Sequence, residues 1–450
     1  MEFTQRKHDL TEGVIWKKVI SFALPILFGI LLQSLYTTAD AVIIGQFAGK
    51  EALAAIDSVH TLIKLPFNFF IGLSSGATII ISQYFGAKKP ECVSDASHTA
   101  ILFAFVGGIL LSIIGCSLAP FAVQLIQVPS DIHDNALIYT MISLSGMTAS
   151  MIYNIGAGIF RALGNSKTPF YYSVIANFVN IGLDLLIVGV LHWGVIGSAV
   201  TTVFAQILSA TLVFIALTKT DLACKIYPKR LRFHKLHLNE FFKLGLPVGI
   251  QSMLFPISNT IVQTSINTFG VNSIAAWAIC GKLDFLIWYI SDAFAISIST
   301  FVAQNFGANQ LERAKKGTRT GLSFALLSII IVSLGLYLGS ASLGRLLVDD
   351  EEVIALVSQI LLFLAPLYIL YVPVDIFPGA IRGTGESIKP MVITLLCTCV
   401  CRILWIFLIV PLHPTLMTVL CCYPVSWALT SFVFFVYYLL HNKKINQQFA

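Results

Sequence analysis

The chain has 450 residues, of which 57% are hydrophobic and only 11% charged, with a formal net charge of +6 and a mean hydropathy of +0.85. Soluble domains carry roughly 25% charged residues, so this composition cannot cover a water-soluble globule. It excludes a soluble enzyme, a nucleic-acid-binding domain and a disordered chain, and leaves an all-α polytopic membrane protein.

A helix needs about 20 apolar residues to cross a bilayer. Twelve stretches reach that length, at 15–42, 52–80, 95–121, 134–160, 169–191, 195–217, 242–268, 273–301, 319–347, 353–379, 390–411 and 414–440. The first apolar run, Val19 to Ala39, is long enough to span and has no small-residue cleavage site, so it reads as a span and not as a cleaved leader. The connections are short except between Thr218 and Phe241, where Lys219, Lys225, Lys229, Arg230, Arg232, His234 and Lys235 make a basic, polar stretch. The expected organisation is an N-terminal six-helix lobe at 1–217, a linker at 218–241, and a C-terminal six-helix lobe with a short tail at 242–450.

The basic residues orient this topology. With the N-terminus inside, only Lys50 and Arg345 of the 28 Lys and Arg fall in outer loops, and Lys64, Lys282 and Arg402 lie within spans. The rest, from Arg6 and Lys7 to Lys443 and Lys444, fall inside. Positive charge stays on the cytoplasmic side, so both termini and the linker are expected there. One missed span would invert half the pattern.

The two halves repeat. A shift of 221 positions carries Gln83, Phe85, Gly86, Ala87 and Glu91 onto Gln304, Phe306, Gly307, Ala308 and Glu312, and Arg161, Gly164, Ser166 and Pro169 onto Arg382, Gly385, Ser387 and Pro390. The Leu24-Pro25 pair meets Leu246-Pro247 with one residue of slippage. Six spans per half give both copies the same orientation. Parallel repeats of this kind build two pseudo-symmetric lobes around a central cavity, the architecture of alternating-access transporters.

An ionisable residue at the centre of a membrane helix costs roughly 2.5–3.5 kcal/mol on insertion scales, so each is a functional candidate. Asp184 shares a face of span 5 with Asn180, Asn177 and Ser173 at spacings of 4, 3 and 4. Asp40 lies on span 1 with Gln33 and Thr37. Span 6 adds Thr201 and Thr202, and span 4 adds Tyr139 and Asn154. Two carboxylates with amide and hydroxyl oxygens suit a small hard cation, or can share a proton; the plainer reading is a polar cluster that ties helices together. Asp40 and Asp184 map onto Ile261 and Trp405, so the second half lacks matching acids. There Asp375 lies between Pro373 and Pro378 on span 10, and Lys282 and Asp284 lie on span 8, too close in sequence to pair on one face. Tyr36, Phe67, Tyr139 and Trp288 are candidate walls of an aromatic cavity for flat organic cations. Three Gly-x-x-x-Gly pairs, at 45/49, 72/76 and 335/339, predict close helix packing. Most of the nine cysteines sit in apolar runs as small hydrophobes. Cys397, Cys399 and Cys401 are spaced so that the middle thiol faces away, and no histidine accompanies them, which argues against a metal site.

The Leu-Pro opening of each half, the sequences Gln83-Tyr-Phe-Gly86-Ala and Gln304-Asn-Phe-Gly307-Ala, and the loops Arg161-Ala-Leu-Gly164-Asn-Ser-Lys-Thr-Pro169 and Arg382-Gly-Thr-Gly385-Glu-Ser-Ile-Lys-Pro390 together resemble the multidrug and toxic compound extrusion (MATE) family over essentially the whole chain. The resemblance implies two six-helix lobes and export of organic, often cationic, compounds driven by Na+ or H+, with no other cofactor. The pattern is closer to the DinF-like branch, whose span-1 aspartate and span-5 Asn-x-x-x-Asp would here be Asp40 with Asn180 and Asp184, Thr202 completing the coupling site. Gln33, Tyr36, Tyr139, Asn154, Asn177, Lys282, Asp284 and Asp375 are the expected substrate-cavity residues. The NorM-like branch also uses an acid on span 7, where this chain has Asn259 and Gln263.

The expected protein is therefore no enzyme but a monomeric antiporter in the plasma or bacterial inner membrane. Its partners are small organic substrates and the bilayer, not nucleic acid. A flippase for a lipid-linked sugar or cell-wall precursor is the alternative, but it would want several cavity Arg or Lys for pyrophosphate. An intramembrane enzyme would want a His-Glu-x-x-His zinc motif, a Ser-Lys pair or aspartates set for proteolysis; no zinc motif occurs, a long-range aspartate pair stays open, and the duplication argues for rocking lobes instead. The topology makes a direct prediction: single cysteines placed at Lys50 and Lys229 in a cysteine-free background should label from opposite sides of intact cells. Labelling from one side would contradict twelve spans.

Overall fold

A computed structural model describes residues 9–449, so Arg6 and Lys7 of the inner-side pattern lie outside the described residues. No β-strand occurs among them. The helices are α1 Ile15–Phe47, α2 Gly49–Gly86 and α3 Pro90–Leu125; α4, from Ser130–Ser145 and Met147–Ala162; α5, Lys167–Asp184 continued by a π-helical stretch Leu185–Val190; and α6 Gly194–Lys219. The second series is α7 Lys235–Asn267; α8, from Val271–Leu283 and Phe285–Gly307; α9 Leu311–Leu338, with a short helix Ser340–Arg345 after it; α10, from Glu351–Leu364, a 3-10 stretch Ala365–Leu370 and Val372–Gly383; α11, from Ile388–Thr394 to Trp405–Ile409 with two π-helical stretches; and α12, from Leu416–Leu420 and Cys422–Phe449. Eleven helices are long and apolar enough to cross a membrane, and the two parts of α4, bent by 42° at Gly146, make a twelfth. The fold is the expected twelve-helix, two-lobe architecture.

Helix boundaries differ from the sequence expectation in a consistent direction. Most helices run on past the apolar stretch into polar sequence. α7 begins at Lys235, inside the stretch expected to be linker, and α9 begins at Leu311 but stops at Leu338. Hydropathy marks the lipid-crossing part of a helix, whereas the hydrogen-bond ladder continues into the headgroup region until a turn stops it. The core is apolar, and large apolar side chains also cover the outside: Phe121, Phe178 and Leu338 are 65%, 64% and 75% exposed, as lipid-facing side chains must be.

The duplication is written in the backbone. Gly49 and Gly270 have φ of 86° and 89°, Gly164 and Gly385 have 81° and 93°, and the non-glycine pair Lys88 and Asn309 has 56° and 57°. Each pair is 221 residues apart. The end of α2 closes with Lys88 N–H on Phe85 O and Lys89 N–H on Tyr84 O, and the first segment pair of the other lobe closes with Asn309 on Phe306 O and Gln310 on Asn305 O, each at 2.8–3.0 Å. A left-handed residue just beyond the helix satisfies the last carbonyls, which explains why Gly or Asn suits these sites.

The chain forms two compact units, Met1–Glu12 with Leu24–Gly249, and Gly13–Ala23 with Ile250–Ala450. The linker lies within the first. Cys224 and Ile226 are buried there, Tyr227 N–H donates to His98 Nε2 at 3.0 Å and His234 N–H to Thr99 Oγ1 at 3.2 Å. The start of α1 belongs to the second unit, where Ser297 Oγ–H donates to Val19 O at 3.4 Å.

Only one of the three glycine pairs supports a close approach. A Cβ on Gly72 would meet Gly249 backbone at 2.7 Å, and one on Gly76 would meet Gly245 N at 2.6 Å and Phe241 O at 2.7 Å. At Gly49 and Gly335 nothing lies within 4 Å, and at Gly45 only Leu53 does. Those two pairs therefore do not pack helices as their spacing suggested: Gly49 is there for its positive φ, and Gly335 faces open space. Gly76→Val should destabilise the protein by about 1–3 kcal/mol through overpacking, read as a lower melting temperature in detergent, whereas Gly335→Val should leave it unchanged.

Candidate functional site

The polar face of α5 is graded. Ser173 and Asn177 are half-buried, and Asn180 and Asp184 are fully buried, while Ile175, Phe178 and Leu185 on the opposite side are exposed to lipid. The helical period thus turns the polar stripe inward, and the π-helical stretch begins directly after Asp184. α1 brings Asp40, also buried, and α6 brings Ser198 and Thr201.

Asp40 Oδ1 accepts from Ser198 Oγ–H at 3.3 Å. Asp184 Oδ1 accepts from Thr201 Oγ–H, whose hydroxyl also reaches Ser198 O at 2.8 Å; its single proton serves one of the two at a time. Asp40 and Asp184 are close enough to interact with each other. Among the described residues, no Lys, Arg or His nitrogen lies within ion-pair distance of either. Asp184 Oδ2 and both polar atoms of the Asn180 amide are buried with no hydrogen-bond partner, as is Asn177 Nδ2. The lobe therefore holds two adjoining carboxylates without a counter-charge, beside unused oxygen ligands.

Of the sequence candidates, Tyr36 and Thr202 face each other, with hydroxyls 3.1 Å apart. The threonine that touches Asp184 is Thr201. Tyr139 packs on Ile44, Ala52, Ile56 and Val195 and lies within electrostatic reach of both aspartates. The structure does not bring the others to this cluster. Gln33 is exposed, away from buried Asp40 although both lie on α1. Asn154 Nδ2–H donates to Ser150 O at 2.8 Å and lines a separate cleft with Phe67, Phe70 and Ser74.

In the second unit, Asp284 sits at the break in α8 and is buried. Its oxygens accept from Trp288 Nε1–H at 3.1 Å and Tyr368 O–H at 2.7 Å. Lys282 is exposed and makes no ion pair with it. Asp375 Oδ1 accepts from Tyr371 O–H at 3.1 Å, while its Oδ2 is buried without a partner. Asp292 and Arg382 are its charged neighbours. Asp292 is a sequence candidate only as one of the few ionisable residues inside a span, and the sequence gives it no role in the cavity. Among the described residues there is no cluster of three or more His, Cys, Asp or Glu to hold a metal ion.

The comparisons with known proteins bear on the family and the duplicated fold. The MatE family model matches twice, over residues 25–186 and 247–408, once in each half. The chain belongs to the MatE family of membrane transporters. It is 27% identical over 401 residues to the "Probable multidrug resistance protein YoeA" of Bacillus subtilis, covering 87% of this chain and 86% of that one. It is 24% identical to the "Probable multidrug resistance protein NorM" of Thermotoga maritima, covering 84% and 82%. A solved structure described as the outward-facing conformation of a multidrug resistance MATE family transporter superposes with a TM-score of 0.90 at 18% identity, covering 97% of each chain. This MatE chain shares the fold of that solved structure.

The two adjacent threonines should separate in effect. Thr201→Val leaves Asp184 with no side-chain hydroxyl donor and should lower stability by about 1–3 kcal/mol. Thr202→Val removes only the half-exposed bond to Tyr36 and should lower it by about 1 kcal/mol or less. Thermal denaturation of the purified variants at neutral pH measures the order.

Proposed function

We propose that this MatE transporter exports small organic compounds, cations among them, across a plasma or bacterial inner membrane in exchange for H+ or Na+. The observation that carries the reading is the adjoining, buried, uncompensated pair Asp40 and Asp184. Two carboxylates without a positive partner in low dielectric are expensive. A bound proton or Na+ removes that cost, and the free Asp184 Oδ2 and Asn180 Oδ1 are oxygen ligands a hard cation prefers. Thr201 and Ser198 hold the carboxylates in place, and Tyr36 with Thr202 closes the polar cluster.

Coupling follows from linkage. A cation that binds one lobe arrangement more tightly than the other shifts the balance between them by that difference alone. If substrate binding favours the opposite arrangement, each discharges the other, and exchange results. The duplicated lobes are the bodies proposed to alternate, with 218–241 as the cytoplasmic tether and both termini on the same side. The relatives' names as multidrug resistance proteins support export, and the inside-weighted Lys and Arg support the orientation. The chain is proposed to work as a monomer.

Inverted vesicles with Na+ and pH gradients imposed separately test this. Asp40→Asn and Asp184→Asn should each abolish gradient-driven export while folding normally, because the amide keeps the shape and loses the charge. Normal export by both variants, still responding to Na+ and pH, would refute the site and turn attention to Asp375.

A further inference from the structure

The duplication allows each part of the N-terminal-lobe site to be located in the other lobe. Asn180, Asp184, Thr201 and Thr202 correspond to Cys401, Trp405, Cys422 and Tyr423, and Asp40 to Ile261. Even the π-helical stretch after Asp184 has its counterpart at Trp405–Ile409. No carboxylate is retained among these positions. Instead Arg402, beside the counterpart of Asn180, stands 2% exposed on the short α-helical turn Cys401–Leu404.

Its surroundings come from α7, α11 and α12, as those of the aspartates come from α1, α5 and α6. Arg402 Nε–H donates to Ser426 Oγ at 3.0 Å and Nη1–H to Asn259 Oδ1 at 2.6 Å. The guanidinium carbon lies 4.5 Å from the centre of the Tyr423 ring and 5.5 Å from that of Phe255, and Trp277 stands 5.3 Å beyond Tyr423. All of these partners are neutral. Among the described residues, no carboxylate lies within ion-pair distance, and Nη2 has no hydrogen-bond partner. Asp284 acts on the same Tyr423 ring, but Trp288 and Tyr368 already engage both its oxygens. Asp292, Asp375 and Arg402 all act on Tyr371, but Asp375 is engaged by Tyr371 and neighbours Arg382.

A tie between α11 and α12 does not require this charge. Thr398 and Thr430 already join the same two helices through hydroxyls 2.9 Å apart. A buried guanidinium with no counter-ion is as costly as a buried carboxylate pair with none. Guanidinium binds carboxylate and phosphate through parallel N–H donors, and aromatic faces bind a flat ring. We propose that the C-terminal lobe has a charge-reversed counterpart of the aspartate site, which binds the oxyanion of an aromatic compound. Arg402 supplies the charge and Phe255, Tyr423 and Trp277 the apolar walls, and the anion displaces Asn259 from Nη1. The proposal rests on the transporter reading only for the origin of the anion; the binding is an equilibrium property of one lobe.

The full chain in zwitterionic nanodiscs, titrated by tryptophan fluorescence with benzoate, phenyl phosphate, inorganic phosphate and neutral benzamide, tests it without any gradient. Benzoate or phenyl phosphate, or both, should saturate a site and benzamide should not; which of the two binds identifies the oxyanion. Arg402→Gln should weaken binding about tenfold or more, a loss of about 1.4 kcal/mol, while Asp184→Asn leaves it unchanged. Asn259→Ala keeps the guanidinium and removes its competitor, so it should bind as tightly as wild type or tighter, and it serves if Arg402→Gln does not fold. Equal affinity for benzamide, unchanged affinity in Arg402→Gln, weakened affinity in Asn259→Ala, or no saturable binding by wild type would overturn the proposal. Inorganic phosphate binding as tightly as phenyl phosphate would overturn its aromatic part. Loss of export in Asp184→Asn with anion binding intact separates the two sites.

Discussion

Inside a bilayer no water is available to bond a backbone N–H or C=O, so the chain must satisfy every one of them itself. The departures from regular α-helix obey this constraint. α5 widens into a π-helix at Leu185–Val190, α10 tightens into a 3-10 helix at Ala365–Leu370, and α11 widens twice. Each keeps a hydrogen-bonded ladder while changing its pitch. Where α4 and α8 break, at Gly146 and Asp284, the helix resumes on the next residue. Many serine and threonine hydroxyls along the spans bond back to the preceding turn, as Ser82 does to Thr78 O and Thr318 to Ala314 O, which satisfies those donors.

The same constraint makes the side-chain charges informative. With little else polar in the spans, each buried ionisable group must be paired, hydrogen-bonded or neutralised by something that binds. Asp284 is met by two donors from neighbouring aromatics. Asp40, Asp184 and Arg402 are not met by opposite charge. The two lobes share a backbone frame down to matching positive-φ residues and π-helical stretches, yet one carries carboxylates and the other a guanidinium at corresponding depth. After duplication the frame is held by packing and backbone bonding, so the side chains at that one position are free to diverge in sign.

Much of this was legible in the chain before any coordinates. Twelve spans, the fold class and the repeat followed from hydropathy, Lys and Arg placement and a single offset. The α5 stripe of Asn177, Asn180 and Asp184 followed from helical period, because α5 is regular up to Asp184. The grouping of Asp40 with Gln33 on one face did not carry over, since what covers α1 changes along its length: Asp40 is buried and Gln33 is not. Nor did the choice of Thr202 over Thr201 as the neighbour of Asp184, because adjacent residues on a helix point about 100° apart and the decision lies with the helix rotation.

The sequence by itself determined what the bilayer enforces one segment at a time: which stretches cross and that two copies exist. Those properties depend on transfer energies and charge placement that sum over a single span. Only the tertiary structure decided which polar groups meet. It showed that Asp40 and Asp184 adjoin with no Lys, Arg or His among the described residues to pair with them, that Gly72 and Gly76 face Gly249 and Gly245 while the other glycine pairs meet no backbone of another helix, and that Arg402 lies among neutral partners. Those facts depend on the rotation and approach of helices distant in sequence, which are set by the packing of whole faces and not by any local pattern.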